Sequence, residues 1–176
     1  SAKRIPAYAA HAPATWSPDA SASFRFLYPD VALAKGDSAP AVPVREDQND
    51  ISVVMLLTLY GRSFLLSGDL EAKGEDAVVE AEHERGDEAR GGVDVMKAGH
   101  HGSKSSTTAL WVDYWRPKET VVSVGRNNGY GHPNAEVLTR LANAGSRVWR
   151  TDLDGEIQYR IFPGGAMDRR TLEESR

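Results

Sequence analysis

From residue 51 onward, short apolar runs rich in β-branched residues alternate with longer segments of mixed polarity, and this alternation constrains the fold more than any other feature. The runs at 51–60 and 63–67 are separated by Gly61-Arg62, a spacing typical of a β-hairpin with a tight turn. Further strands are predicted at 24–28, 93–98, 120–124, 147–151 and 156–162. Strands interleaved with helices in this way predict an α/β layered domain.

The chain is predicted to form a single domain over residues 1–176, which suits one hydrophobic core. Residues 1–23 are rich in Ala, Pro and Ser and predict an irregular lead-in, while 163–176 predict a polar tail that frays. The stretch 31–50 has the composition of a surface excursion. The charged segment 71–90 predicts a solvated helix that gives way to a flexible loop near its end.

Two more helices are expected in the second half of the chain. One would be capped by Ser105 or Ser106 and end before Pro117. Its apolar stripe would consist of Leu110, Trp111 and Trp115. The next would run from near Asn134 to a stop at Gly145, and the two strands after it are expected to pair through a turn at 152–155.

Composition excludes several classes of protein. The absence of cysteine rules out disulfide frameworks, cysteine-ligated zinc and thiol nucleophiles. With 21 Lys+Arg against 25 Asp+Glu, the chain is not a strongly basic sleeve for nucleic acid, so a polyanion would have to be held locally. No apolar run approaches the roughly 18 residues of a membrane helix, so no membrane span is predicted in this chain.

Polar side chains suited to catalysis follow two of the predicted strands. Asp69 comes directly after a strand, which would fix the backbone and aim the carboxylate; the alternative is a turn aspartate that hydrogen-bonds its own backbone. The segment 99–103 places His100 and His101 between glycines. Imidazole is the commonest metal ligand and an acid or base near neutral pH, although a surface turn could also hold both rings.

A third loop, 127–133, carries amides, glycines, a phenol and His132 just before a predicted helix. Free N–H groups at a helix start favour an anion there, and the alternative is a plain turn followed by a helix. The chain contains neither a Gly-rich phosphate loop followed by Lys-Ser/Thr nor a Gly-x-Ser-x-Gly nucleophile elbow.

Four blocks of the sequence carry a family resemblance, in order, between residues 24 and 162. They are FLLSGDLE (64–71), VDVMKAGHHGSKSS (93–106), PKETVVSVGRNNGYGHPNAEVLTRL (117–141) and VWRTDLDGEI (148–157). Together they resemble the metallo-β-lactamase-fold domain of ComEC-type DNA-internalisation competence proteins and stand-alone hydrolases of that type. The HHGS and YGHP blocks, with their spacing, are the most specific.

The resemblance implies an αββα sandwich of the metallo-β-lactamase type, of which this chain is the C-terminal portion. It also implies two divalent metal ions, zinc or manganese, at one edge. Asp69 would bridge the ions and His101 would be a late imidazole ligand. His100 would lie beside the metals as a catalytic residue. His132 would lie at the mouth of the site. The predicted substrate contacts are Asn128, Tyr130 and Lys104.

The sequence departs from the family in one respect, because the main metal-binding motif HxHxDH does not occur in it. The chain is a fragment whose missing N-terminal half lies upstream, or another chain supplies that half, or the site has been lost; the abrupt start favours the fragment. We therefore expect a metal-dependent hydrolase acting on a phosphodiester, in DNA or another nucleotide. The alternative is a metal-free binding or scaffold module.

The resemblance leaves the compartment open. As part of a competence protein the chain would be extracytoplasmic or membrane-tethered, and as a stand-alone hydrolase it would be cytoplasmic.

Overall fold

The computed structural model describes residues 14–29, 49, 52–86 and 92–172. These residues form a mixed α/β fold, which confirms the predicted class. Seven strands form one sheet in the order β1 to β7, and β8 and β9 form a separate ribbon. Most of the predicted excursion at 31–50 and part of the predicted loop after the first helix lie outside the described residues.

The strands and helices have the following bounds. The large sheet contains β1 (Ala14–Asp19), β2 (Ala22–Tyr28), β3 (Val54–Leu59), β4 (Arg62–Leu66), β5 (Val95–Lys97), β6 (Glu119–Val122) and β7 (Arg147–Arg150). The ribbon contains β8 (Glu156–Ile161) and β9 (Met167–Leu172). The helices are α1 (Ala72–Glu84), α2 (Ala109–Trp115), α3 (Ala135–Asn143) and the single turn α4 (Thr151–Asp154).

The strands β1 to β4 form an antiparallel meander. The predicted hairpin between β3 and β4 is present, but its turn consists of Tyr60 and Gly61, while Arg62 already pairs with Leu59. Tyr60 and Gly61 both have positive φ, 47° and 79°. This is the conformation that a two-residue hairpin turn needs to match the twist of its strands, and it fixes the turn one residue earlier than expected.

The strands β4 to β7 run parallel, and α1, α2 and α3 connect them in succession. Because such crossovers are right-handed, all three helices lie on one face of the sheet. There α1 packs on α2, and α2 packs on α3. The main core lies between these helices and the sheet, and its fully buried members include Leu65, Met96, Trp111, Trp115 and Leu141.

Helix α1 is less solvated than its charge predicts. It buries Val78 and Val79, and it also buries two glutamates completely, Glu75 and Glu82. Glu82 forms an ion pair with Arg25 of β2 at 2.7 Å and also accepts a hydrogen bond from the Arg85 guanidinium. The two glutamates are buried because folding supplies their partners, which are Arg25 and Arg85 for Glu82 and the N–H groups of the loop before α2 for Glu75.

Two details of the later helices also differ from expectation. The N-cap of α2 is Thr108, whose side chain accepts a hydrogen bond from Trp111 N–H, whereas Ser106 is buried and donates to the Gly99 carbonyl. Leu110 does not join the apolar stripe, since 46% of it is exposed. The start of α3 is as predicted, because the Asn134 side chain caps it by accepting from the Glu136 N–H.

The two ends of the chain contain more structure than predicted. Residues 14–19 of the expected irregular lead-in form β1, and residues 167–172 of the expected frayed tail form β9. The strands β7 and β8 do not pair with each other: β7 pairs with β6, and β8 pairs with β9. Tyr159 of β8 contacts Phe64 of β4 edge to face, so the ribbon covers part of the sheet face opposite the helices.

In the described part of the chain, no helix is both long enough and apolar enough to cross a membrane.

Candidate functional site

The predicted site residues meet at one edge of the sheet. Asp69 follows β4, the turn Gly99–Gly102 (the GHHG turn) follows β5, and the loop that contains His132 follows β6. These three strands are parallel, so their carboxyl ends lie at the same edge. In open α/β sheets this is the edge where ligands bind.

Asp69 and His101 face each other across a short gap. His101 Nδ1 lies 2.7 Å from the Ser123 carbonyl oxygen, and because a carbonyl only accepts, Nδ1 must donate its N–H. This leaves Nε2 available, and it lies 3.6 Å from Asp69 Oδ2. Two donors each about 2.1 Å from a tetrahedral ion would be about 3.4 Å apart, so this pair fits two ligands of one metal.

Lys97 holds the turn that carries Asp69. Its ammonium donates to the carbonyls of Gly68 and Ala98 at 2.6 and 3.1 Å and lies 3.6 Å from Asp69 Oδ1. Burial lowers the pKa of Lys97, and the nearby Asp69 carboxylate opposes that shift. The two carboxylate oxygens of Asp69 therefore face different groups, one the lysine and the other the imidazole of His101.

The GHHG turn has an unusual backbone. His100 and His101 both have positive φ, 41° and 56°, a region that residues with a side chain seldom adopt. Gly102 also has positive φ and approaches Pro133 so closely that a Cβ atom would lie 2.7 Å from the proline Cβ. The Asn134 N–H donates to the Gly102 carbonyl, which ties the turn to the start of α3. Backbone strain of this kind is common at functional sites.

Glu71 was not among the predicted site residues, yet it contacts His100. Its Oε1 lies 2.9 Å from His100 Nδ1 and accepts a hydrogen bond from the Ser105 hydroxyl, also at 2.9 Å. The ring of His100 lies between the other two imidazoles, with centroids 6.2 Å from His101 and 5.7 Å from His132. The sequence signal was present, because Glu71 stands two residues after Asp69 in the FLLSGDLE block.

The loop after β6 is held together by Asn128. Its side-chain amide donates to the His132 carbonyl at 2.8 Å and to the Gly125 carbonyl at 3.1 Å, and its oxygen accepts from the His132 N–H. Tyr130 is 86% exposed and stacks on the His132 ring. Asn128 therefore shapes the loop, and its predicted contact with substrate stays a prediction.

The electrostatics at the mouth of the site favour a neutral imidazole. Burial, followed by the charges of His100 and His101, lowers the pKa of His132 below its ordinary value. At neutral pH its ring can donate one N–H and accept at the other nitrogen. Lys104 is exposed in the turn after the GHHG segment, where its role as a substrate contact stays a prediction.

The described residues do not supply a complete metal cage. Within the ranges that the structure describes, no three His, Cys, Asp or Glu side chains are grouped so that they could hold an ion. Asp69 and His101 fit as two ligands, whereas zinc-type sites use three or four. A metal centre here would need donors from outside these residues.

No family model matches the chain. Among curated proteins, it is 39% identical over 122 residues to ComE operon protein 3 of Bacillus subtilis (strain 168), which is 69% of this chain and 15% of that protein. It is 34% identical over 127 residues to Competence protein ComA of Neisseria gonorrhoeae, which is 70% of this chain and 17% of that protein. It is 32% identical over 138 residues to Recombination protein 2 of Haemophilus influenzae, which is 78% of this chain and 16% of that protein.

The chain thus spans about a sixth of the length of these relatives. The blocks that carried the expected resemblance contain the residues that meet at the sheet edge. The relatives support the part of that resemblance that concerns competence proteins. Over 69% to 78% of its length, this chain is similar to a segment of bacterial proteins that include Competence protein ComA, ComE operon protein 3 and Recombination protein 2.

Proposed function

We propose that the chain is the C-terminal part of a metallo-β-lactamase-like domain and that the complete domain hydrolyses phosphodiesters, in DNA or another nucleotide. The convergence of Asp69, His100, His101 and His132 at the carboxyl edge of three parallel strands carries this proposal. The name of one relative, Competence protein ComA, supports a role in DNA uptake.

In this proposal Asp69 and His101 are metal ligands. A pair of divalent ions, zinc or manganese, would lower the pKa of a water molecule and offset the charge that develops on the phosphate. The remaining donors would come from a part of the domain that this chain does not contain. The absence of HxHxDH and the small share of the relatives that the chain covers are both consistent with this division.

The other site residues would act on the substrate. His132 and Tyr130 lie on the loop beside His100, where a neutral imidazole N–H can donate to a phosphoryl oxygen. His100 would hold a proton or a phosphate oxygen through its free ring nitrogen. Lys104, which is exposed in the turn after the GHHG segment, would meet the negative charge of the substrate.

The sheet supports the sandwich part of the proposal. One side of its antiparallel half carries a set of apolar side chains that alternate along β1 to β4 and are half-buried or exposed. We call this set the open face: Trp16, Phe24, Phe26, Met55, Leu57, Leu59 and Leu66. A second sheet from the missing half of the domain would bury it, as the αββα arrangement requires.

A second candidate function is a metal-free binding or scaffold module with the same fold. The observation that favours it is the two-donor site, since the described residues do not close around an ion. The two candidates differ in one measurable property, the number of metal ions that the complete domain carries.

The test uses the complete domain, purified and analysed for metal, with bis(p-nitrophenyl) phosphate as substrate. We expect Asp69→Ala to lose both metal and hydrolysis, because the substitution removes one of the two side chains proposed to bind the ions. His132→Ala should retain its metal but lose turnover by about 10²–10⁴-fold if the imidazole transfers a proton, and less if it only orients the phosphate.

Asp113→Ala is the matched control, because this carboxylate is exposed on α2 and should change neither quantity. Full metal content in Asp69→Ala would show that Asp69 is not a ligand. A wild-type domain that carries no metal would favour the scaffold function instead.

A further inference from the structure

Glu71 connects the start of α1 to two consecutive turns of the site, through residues 29 and 34 positions later in the chain. It is the N-cap residue of α1, and its carboxylate reaches the GHHG turn through His100 and the following turn through Ser105. The backbone reinforces this connection, since the Ala72 N–H donates to the Ser105 carbonyl at 2.9 Å. The Ser105 hydroxyl also lies 2.9 Å from that of Ser103. The carboxylate is therefore held through one oxygen, Oε1, which contacts both His100 and Ser105.

The contact with Glu71 decides which nitrogen of His100 faces the site. A carboxylate only accepts hydrogen bonds, so Nδ1 must carry the proton and Nε2 remains free. His101 shows the same pattern, with its Nδ1 donating to a backbone carbonyl. In both histidines the hydrogen bond made by one nitrogen fixes the tautomer and the role of the other.

We infer that Glu71 is a positioning residue that holds the ring of His100 with Nε2 directed toward the substrate. The consequence for hydrolysis rests on the proposed function, whereas the contact between Glu71 and His100 is seen in the structure itself. The side chain of Glu71 is 23% exposed. In the part of the chain that the structure describes, it forms no hydrogen bond or ion pair with Asp69 or His101. Its role is therefore exerted through His100.

The first measurement is the tautomer of His100 in the full 176-residue chain. Long-range ¹H–¹⁵N correlation spectra at about pH 8, where imidazoles are mostly neutral, distinguish the Nδ1–H form from the Nε2–H form. We expect the Nδ1–H form in the wild type and in Glu71→Gln, whose amide oxygen can still accept. In Glu71→Ala the Nε2–H form should appear.

Glu80→Ala is the matched control, because this carboxylate is exposed on the same helix and should leave the His100 signals unchanged. A wild-type His100 in the Nε2–H form would overturn the inference without any variant. An unchanged tautomer in Glu71→Ala would overturn it as well.

The second measurement is hydrolysis by the complete domain. Glu71→Ala should keep its metal and lower kcat by about 10–100-fold, as removal of a residue that orients an active-site histidine does. Glu71→Gln should recover most of that loss. Loss of metal in Glu71→Ala would make Glu71 a ligand and overturn the positioning role.

If the wild-type domain hydrolyses no phosphodiester, the proposed function fails, and the tautomer spectra still decide the role of Glu71.

Discussion

The two faces of the seven-stranded sheet are closed to different degrees. On one face three helices bury Leu65 and Met96 completely, together with both tryptophans of α2. On the other face the ribbon covers the parallel half, and the apolar residues of the open face remain half-buried or exposed. Within the described part of the chain, the helices bury the apolar residues of one face, whereas the ribbon covers only the parallel half of the other face.

The ribbon shows how the covered half of that second face is held. Glu119 of β6 accepts hydrogen bonds from the Trp149 indole, the Tyr159 hydroxyl and the Arg169 guanidinium, all at 2.8–2.9 Å. The Arg169 guanidinium also lies over the Trp149 ring at 3.6 Å. Burial raises the pKa of Glu119, but these donors outweigh it and hold the pKa below its usual value. One carboxylate thus ties the ribbon to the sheet.

The two faces differ in whether the described residues alone bury them. The helix-covered face has its own hydrophobic core, built from the sheet and three helices. Among the described residues, the open face is left without a covering layer, and Asp69 and His101 are not joined by further donors. Under the proposed function, both would be completed by a second sheet and further ligands from the rest of the domain.

The largest expected effect compares two neighbours on β4 that point to opposite faces. Leu65 is fully buried, whereas Leu66 is 38% exposed. Leu65→Ala should lower the free energy of unfolding by about 2–5 kcal/mol, because it leaves a cavity in the core. Leu66→Ala should cost less than about 1 kcal/mol. Urea unfolding of the two variants measures both values.

Similar costs for the two variants would contradict the comparison, because they would mean that the open face is buried in solution. Sedimentation analysis of the wild-type chain then identifies association between copies as the cause.

A smaller effect concerns Glu75, which is buried on the helix-covered face. Burial raises its pKa, while hydrogen bonds from the N–H groups of Thr108 and Thr107 oppose the shift. Folding therefore favours the protonated acid. The contribution of this protonated carboxyl to the free energy of unfolding is full at pH values below its ordinary pKa of 4.5. It is lost as the pH rises through the raised pKa of the folded state.

The amide of the Glu75→Gln variant does not titrate. As the pH rises above 4.5, the free energy of unfolding of this variant should therefore increase relative to that of the wild type. The gain should be about 1.4 kcal/mol for each unit by which folding raises the pKa. Urea unfolding at several pH values measures it, with Glu80→Gln as the exposed control. A pH-independent difference would show that water reaches Glu75 and that this face is less closed than described.

The smallest expected effect concerns metal binding by Asp69 and His101 at the edge of the sheet. Two ligands hold a divalent ion weakly, so this chain should bind metal substoichiometrically and its Tm should hardly change with a chelator. Thermal unfolding with and without EDTA, together with elemental analysis, measures this. A drop of many degrees would show that ligands outside the Asp69–His101 pair complete the site within this chain.

Local sequence signals predicted much of this molecule correctly. The hairpin of β3 and β4 and the start of α3 near Asn134 were predicted from residue type and spacing. The segments expected to carry chemistry, at Asp69 and the GHHG turn, do lie together at one edge of the sheet, while their chemistry stays a prediction. These features depend on residues that are close in sequence, such as turn glycines, cap side chains and the residues that follow an apolar strand.

Long-range contacts decided the rest. Charge along α1 predicted a solvated helix, yet Glu75 is buried because the backbone of a loop 32 residues later supplies two donors. Glu71 stands in the FLLSGDLE block, but its place there does not name a partner, and only folding brings it to His100, 29 residues away. Likewise β8 pairs with β9 rather than with β7, although β7 is the last strand of the large sheet, and this choice of partner is not written in the residues of the two strands.

The sequence by itself determined the α/β class and the segments that carry the candidate chemistry, since strand and helix periodicity and turn residues act over short distances. Only the tertiary structure decided which carboxylates are partners of the site and which face of the sheet is open. Those properties depend on which residues become neighbours when parallel strands align at one edge. A single sequence records the residues of such neighbourhoods but not their contacts.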